Sequence, residues 1–245
     1  MKTQIASLLI ASALPLTAVA QVTFFGAQKI AFYEQTQNNT APSSPYSFSL
    51  YAYVTTTASS DANTFTVSAV DTVNLTTIDG VHFAGSNYYD SLAALNSAFP
   101  VGSTYKFTAV GGSLNGEYDN LHIVSVAFPP VPYLTGKEFT HLSKIQRGSA
   151  LTIHLALSGK GETTGVNFAI FSPDGASLLY VIDAPGGTTS FTIPKKEINS
   201  LTPGVTYQGE IDTFNLHDVK SAGAFKTAAD YDGFEVATSF PFQIQ

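Results

Sequence analysis

The chain has 245 residues with a formal charge of −7, and only 12% of them are charged, against about 25% in an average soluble protein. Its 11 Lys and Arg are scattered, with no basic run longer than Lys195-Lys196, which excludes the clustered positive charge that a nucleic-acid or anionic-membrane partner needs. No cysteine is present, so disulfide frameworks and thiolate metal sites are excluded too.

In chain order, residues 1–20 read as a secretory signal peptide. Lys2 supplies the charged start, residues 5–16 a short apolar core, and Ala18-Val19-Ala20 the small-residue cleavage site. That run is too short to span a bilayer as a helix, and no other stretch is long enough. The mature chain is expected to begin at Gln21 and to be secreted, periplasmic or held at the cell surface, with no membrane span after cleavage. Hydropathy alone does not exclude a membrane β-barrel, although the Pro-rich interruption near the middle suits one poorly.

Residues 22–34 are apolar and aromatic and read as one or two strands broken near Gly26. Residues 35–45 are a polar, proline-containing loop. In residues 46–54, Tyr46, Phe48, Leu50, Ala52 and Val54 alternate with Ser47, Ser49, Tyr51 and Tyr53, the period-two signature of a strand with one buried face. Further strands follow around Phe65-Thr66-Val67, after an Asp61-Ala62-Asn63 turn, and over 73–78 and 81–84. Asp90 or Ser91 caps a short helix carrying Leu92, Leu95 and Phe99. Strands over 104–110 and 121–128 close the first half.

Phe128-Pro129-Pro130-Val131-Pro132 reads as an extended, semi-rigid connector. The expected division is therefore a first β-sandwich at 21–128, a linker at 129–132 and a second β-sandwich at 133–245. Proteolysis near 132–136 should then release two fragments. The second half offers strands at 139–145, at 151–157 with alternating Leu151, Ile153, Leu155 and Leu157, and at 166–171, 178–182 and 190–193. A helical turn at 195–199, a strand at 207–214 and a closing strand at 234–244 complete it. Strand, short helix, then Tyr-opened strand recurs in both halves, as two copies of one unit would give.

Leu201-Thr202-Pro203-Gly204-Val205-Thr206-Tyr207 resembles the tyrosine corner of immunoglobulin-like and fibronectin type III-like sandwiches. Leu201, Pro203, Gly204 and Tyr207 carry the resemblance, and Phe99-Pro100-Val101-Gly102-Ser103-Thr104-Tyr105 is a looser version ending in Tyr105. The resemblance covers 131–245 and implies an all-β fold of two tandem antiparallel sandwiches used for adhesion, spacing or ligand display. There is no Trp and no Cys pair, so an antibody-type domain is excluded.

The chemistry is sparse. None of the five histidines pairs with another at metal-ligand spacing, and no Gly-x-Ser-x-Gly elbow occurs. Asp230, Asp232 and Glu235, beside Gly233, form the one calcium candidate, read as a polar loop or turn ahead of the last strand; Glu117-Tyr118-Asp119-Asn120 is a weaker relative. No other cofactor is expected. Glu210 and Asp212 fall on one strand face about 7 Å apart by strand rise, a pair of the kind glycosidases use. Tyr51 and Tyr53 lie opposite the core face and are candidates for stacking on carbohydrate. Asn38-Asn39-Thr40 and Asn74-Leu75-Thr76 are glycosylation sequons. The leading reading is an exported, non-enzymatic surface, matrix, adhesion or spacer module whose partner is a protein, a polysaccharide or a second copy of itself. The alternatives are a carbohydrate-binding protein and a small secreted glycoside hydrolase.

Overall fold

The computed structural model describes residues 20–57, 64–123, 127–219, 223–225 and 228–245. The leader read from residues 1–20 lies outside them except for Ala20, as does the Asp61-Ala62-Asn63 turn. The first half contains strands β1 (Val22–Glu34), β2 (Ser47–Thr56), β3 (Thr64–Ser68), β4 (Thr72–Thr77) and β5 (His82–Tyr89). Helix α1 (Leu92–Ala98), β6 (Thr104–Val110) and β7 (Tyr118–His122) follow. The second half contains β8 (Val131–Thr135), α2 (Glu138–His141) with a 3-10 turn at Leu142–Lys144, β9 (Leu151–Ser158), β10 (Gly165–Phe171) and β11 (Leu178–Pro185). It ends with β12 (Ser190–Ile193), α3 (Lys195–Ser200), β13 (Thr206–Val219) and β14 (Ala229–Gln243). The chain is all-β.

Eleven strands form one continuous sheet in the order β11-β10-β13-β14-β1-β2-β5-β4-β3-β6-β7, and a separate three-stranded sheet runs β12-β9-β8. In the second half the small sheet lies over β10, β13 and β14. Leu134, Ile153, Leu155, Phe191 and Ile193 meet Phe168, Ile170, Ile211, Phe240 and Phe242 in one core, as alternating inward side chains of two packed sheets do. In the first half the long sheet bends onto itself at β4. That strand pairs with β5 through only Thr76↔Ala84 and Thr77↔Phe83 before continuing with β3. The bend lays β3, β6 and β7 over β1, β2 and β5, so that Phe65 meets Phe83 at 4.9 Å and Phe25 meets Phe107 at 5.0 Å, both edge-on. Gly85 sits at this corner because the carbonyl of Asn74 occupies the space a Cβ would need.

The two cores are joined by the sheet itself. β1 and β14 are parallel neighbours paired over eleven positions, from Phe24↔Ala229 to Glu34↔Ser239. Parallel strands are adjacent only when a long connection returns the chain; here the connection is nearly the whole protein. The Pro-rich segment is not an exposed connector. Pro129, Pro130 and Pro132 are buried, and Val131 opens β8. The Phe128 ring meets Phe48 at 6.4 Å and Phe234 at 5.2 Å, and the Thr213 hydroxyl donates to the Pro130 carbonyl at 2.7 Å. Gln35 is buried and imitates a strand neighbour of β8: Leu134 N–H donates to its Oε1 at 2.7 Å, and its Nε2 donates to Leu134 O at 3.0 Å.

Three local readings change. β1 runs unbroken through Gly26, where the Tyr53 hydroxyl and the Tyr231 carbonyl fill the space beside the α-carbon. Residues 139–144 are helical rather than extended, and only Ile145 is extended, in a bridge to Ile244; Phe139, Leu142 and Ile145 recur every third residue and turn one side toward the second core. The last strand begins at Ala229, so the acidic run 230–235 is strand. Helix α1 forms as read, with Ser91 Oγ accepting from Ala94 N at 3.1 Å.

Candidate functional site

Successive side chains of a strand point to opposite faces of its sheet, and this decides what the acidic residues can do. Asp230 and Asp232 stand opposite Phe25 and Ala27 of β1 and face the first core. Glu235 stands opposite Ile30 and faces the other side, where Ile30, Phe32, Tyr51 and Ala237 form a third, smaller cluster. The calcium candidate is thereby split: the three carboxylates lie in a strand, not a loop, and do not share a face. Among the described residues no group of three or more His, Asp or Glu is arranged to hold a metal ion. Asp119, the buried member of the weaker acidic run, accepts N–H bonds from Asn120 at 2.7 Å and Phe225 at 2.9 Å, a structural role. Its neighbour Tyr118 is exposed beneath the Lys106 ammonium, 4.3 Å from the ring centre.

Glu210 and Asp212 share one face, as read, and it is the face of Glu235. All three are buried. Burial, and next the charge of Glu210, push the Glu235 carboxyl well above its ordinary value of 4.5: two carboxyls crowded away from water do not both ionise readily. Two surface depressions among the described residues are lined by residues between His141 and Thr152 and by Glu34, Pro173, Tyr207 and Pro241. Neither contains Glu210, Asp212 or Glu235.

The tyrosine candidates are also corrected. Tyr51 is 7% exposed, and Tyr53 is stacked on Phe24 at 4.9 Å with its hydroxyl over Gly26. Burial, followed by the charge of Glu235, raises the Tyr51 hydroxyl; burial, followed by neighbouring hydroxyls and Asp232, raises Tyr53. Tyr51 is thus buried, and Phe24 covers one ring face of the half-buried Tyr53. The face opposite a core is exposed only where nothing packs on it, and here the aromatic and carboxylate side chains fill it.

Exposed aromatic surface lies at the other end of the same face. Tyr46 (51% exposed) and Tyr88 (44%) flank Phe32, with ring centres 6.2 Å and 6.0 Å from it. The two Tyr residues that open a strand after a Pro-containing turn both tie their hydroxyls to upstream backbone, with opposite polarity. Thr202 N–H donates to Tyr207 Oη at 2.8 Å, whereas Tyr105 Oη donates to Phe99 O at 2.9 Å.

One chemically unusual residue escaped the sequence reading. Lys29 sits mid-strand in β1, 2% exposed, with its Nζ donating to Asn96 Oδ1 at 2.6 Å and to the Phe99 carbonyl. Those acceptors come from α1 and its C-terminal cap, where unpaired carbonyls favour a donor. Burial lowers the lysine from 10.5 to about 8. A charged residue amid Phe24, Phe25, Ile30 and Phe32 was the signal available for it.

No protein-family model matches the chain, and no curated protein matches it. Among solved structures the chain is similar to the fibronectin(III)-like modules of CbhA from Clostridium thermocellum. The identity is 11%, the match covers 89% of this chain and 93% of that one, and the TM-score is 0.25.

Proposed function

We propose that this is an exported, non-enzymatic β-sandwich module, serving as a spacer or adhesion-type element at a cell surface or in a matrix, and that tension passes through its central sheet. The observation that carries the reading is the parallel pairing of β1 with β14 over eleven positions. Force pulling β1 by its start and β14 by its end acts along both strands in opposite directions, so the whole ladder is sheared at once. An antiparallel pair would open one bond at a time, each worth only about 1 kcal/mol net. Two cores on one sheet, clamped by the buried Pro129-Pro130 segment, suit a stiff spacer. The partner is a protein, a polysaccharide or a second copy.

Single-molecule pulling tests this. Handles at residues 20 and 245 shear β1 against β14, whereas handles at Gln37 and Gln245 peel β14 from the same end. The shear geometry is expected to need a force several-fold higher; equal forces would defeat the proposal.

A second reading, carbohydrate binding, is favoured by Tyr46 and Tyr88 around Phe32 rather than by Tyr51 and Tyr53. A glycan screen with and without calcium, repeated on Tyr46→Ala/Tyr88→Ala, checks it: binding that survives the double change rules the patch out. The burial of Glu210 and Asp212 argues against their serving a hydrolase.

A further inference from the structure

We infer that Lys29 and Asn96 are the two ends of an intramolecular amide cross-link, formed by attack of the lysine amine on the asparagine carboxamide. Nζ lies 2.6 Å from Oδ1, and a C=O bond adds about 1.23 Å, so Cγ is within about 3.8 Å of the nitrogen. That is close to the separation of about 3–3.5 Å from which intramolecular attack proceeds, so a small shift of the amine off the carbonyl oxygen completes the approach. The orientation is fixed from both sides. Lys29 is held by the Phe99 carbonyl, which also accepts from Tyr105 Oη at 2.9 Å, and Asn96 is held on α1 by the Ser91 cap. Burial keeps bulk water from the amine, since Lys29, Phe99 and Tyr105 are all buried and Asn96 is half-buried. It also lowers the lysine to about 8, so a substantial fraction of the amine is neutral at ordinary pH.

In the step, the Nζ lone pair forms a bond to Cγ and the Cγ–Nδ2 bond breaks. One Nζ proton passes to the departing nitrogen, and ammonia leaves. No oxidant or cofactor is consumed. The proton passes directly between the two nitrogens, so the step needs no further group. The link would close the chain from β1 to α1 in a protein that has no cysteine to do so. It holds whether or not the module carries tension.

The test is peptide mapping of the purified mature protein. Gln21 at a free N-terminus also sheds ammonia when it cyclises, so the readout is the branched peptide and not the intact mass alone. Digestion with trypsin and chymotrypsin is expected to give a peptide in which Lys29 is uncleaved and joined to the Asn96 segment, lighter than the two pieces by one ammonia. Lys29→Arg and Asn96→Ala should each abolish it. Two linear peptides from the folded wild-type protein, with Lys29 cleaved and Asn96 intact, would overturn the inference. So would persistence of the branch in Asn96→Ala.

Discussion

Replacing Tyr207 by Phe removes a single oxygen and leaves the packing in place, which makes it a clean probe of the turn that opens β13. Tyr207 is 7% exposed, and its ring lies 5.8 Å from Phe242 at the edge of the second core. The hydroxyl accepts one N–H, from Thr202 at 2.8 Å. Loss of such a bond costs about 1 kcal/mol net. Thr202 is exposed, so its freed N–H turns to water and the larger penalty for a stranded donor does not apply. Tyr207→Ala removes the ring as well, and core aromatic deletions cost about 3–5 kcal/mol. For a chain of this size each kcal/mol moves the melting midpoint by about 2–4 °C. The assay is equilibrium urea denaturation followed by far-UV circular dichroism, because the chain has no Trp, with the slope checked for constancy. An unchanged midpoint for Tyr207→Phe, or one as low as for Tyr207→Ala, would refute this account of the turn.

Three further outcomes are expected. The Glu235 carboxyl is raised in the folded state, so the native protein holds its proton more tightly than the unfolded chain. Its contribution is fully present below the usual carboxylate value and is lost as pH rises through the higher folded value. Glu235→Gln should therefore be more stable than the parent at neutral pH and flatten the acid side of the pH–stability curve, and a steeper curve would count against the buried pair. Gly26→Ala would force a methyl against the Tyr231 carbonyl, 2.6 Å from the added carbon, and against the Tyr53 hydroxyl. Overpacking of this kind costs about 1–3 kcal/mol, and a neutral effect on the melting midpoint would show that the strand yields. With Pro129, Pro130, Pro132 and Leu134 buried, brief proteolysis is expected to leave 129–135 uncut, and Thr213→Val, which strands the Pro130 carbonyl, should expose it at a cost of about 1–3 kcal/mol. Ready cleavage at 132–136 in the parent would restore the simple linker.

Much of the architecture was legible because strand periodicity is local. The alternation of Phe48, Leu50, Ala52 and Val54, and of Ile153 and Leu155, marks the core face of each strand, and those residues are buried in the two main cores. Ser91 and the spacing of Leu95 and Phe99 place α1 for the same reason. The misreadings share one cause. Tyr51 and Tyr53 lie on the face that alternation marks as free, and Glu235, read in a turn, lies on that face too; what covers a second face depends on distant parts of the chain. Pro129 and Pro130 read as a spacer because proline stiffness is a local property, whereas their burial depends on Phe48, Thr213 and Phe234.

The sequence by itself determined that the protein is all-β, where most strands and the two short helices flanking the Tyr-opened strands lie, and which side chains fill the cores. These follow from periodicity, capping and turn chemistry over a few residues. Only the tertiary structure decided that the first and last strands are parallel neighbours. It alone put Glu235 back to back with Asp232 and brought Lys29 to Asn96 across 67 positions. Such contacts join residues far apart in the chain, and a pattern with a period of two or three residues carries no record of them. Phe99-to-Tyr105 and Leu201-to-Tyr207 stand between these cases: each motif announces a hydroxyl tied to nearby backbone, while the polarity of each bond is set by the groups around it.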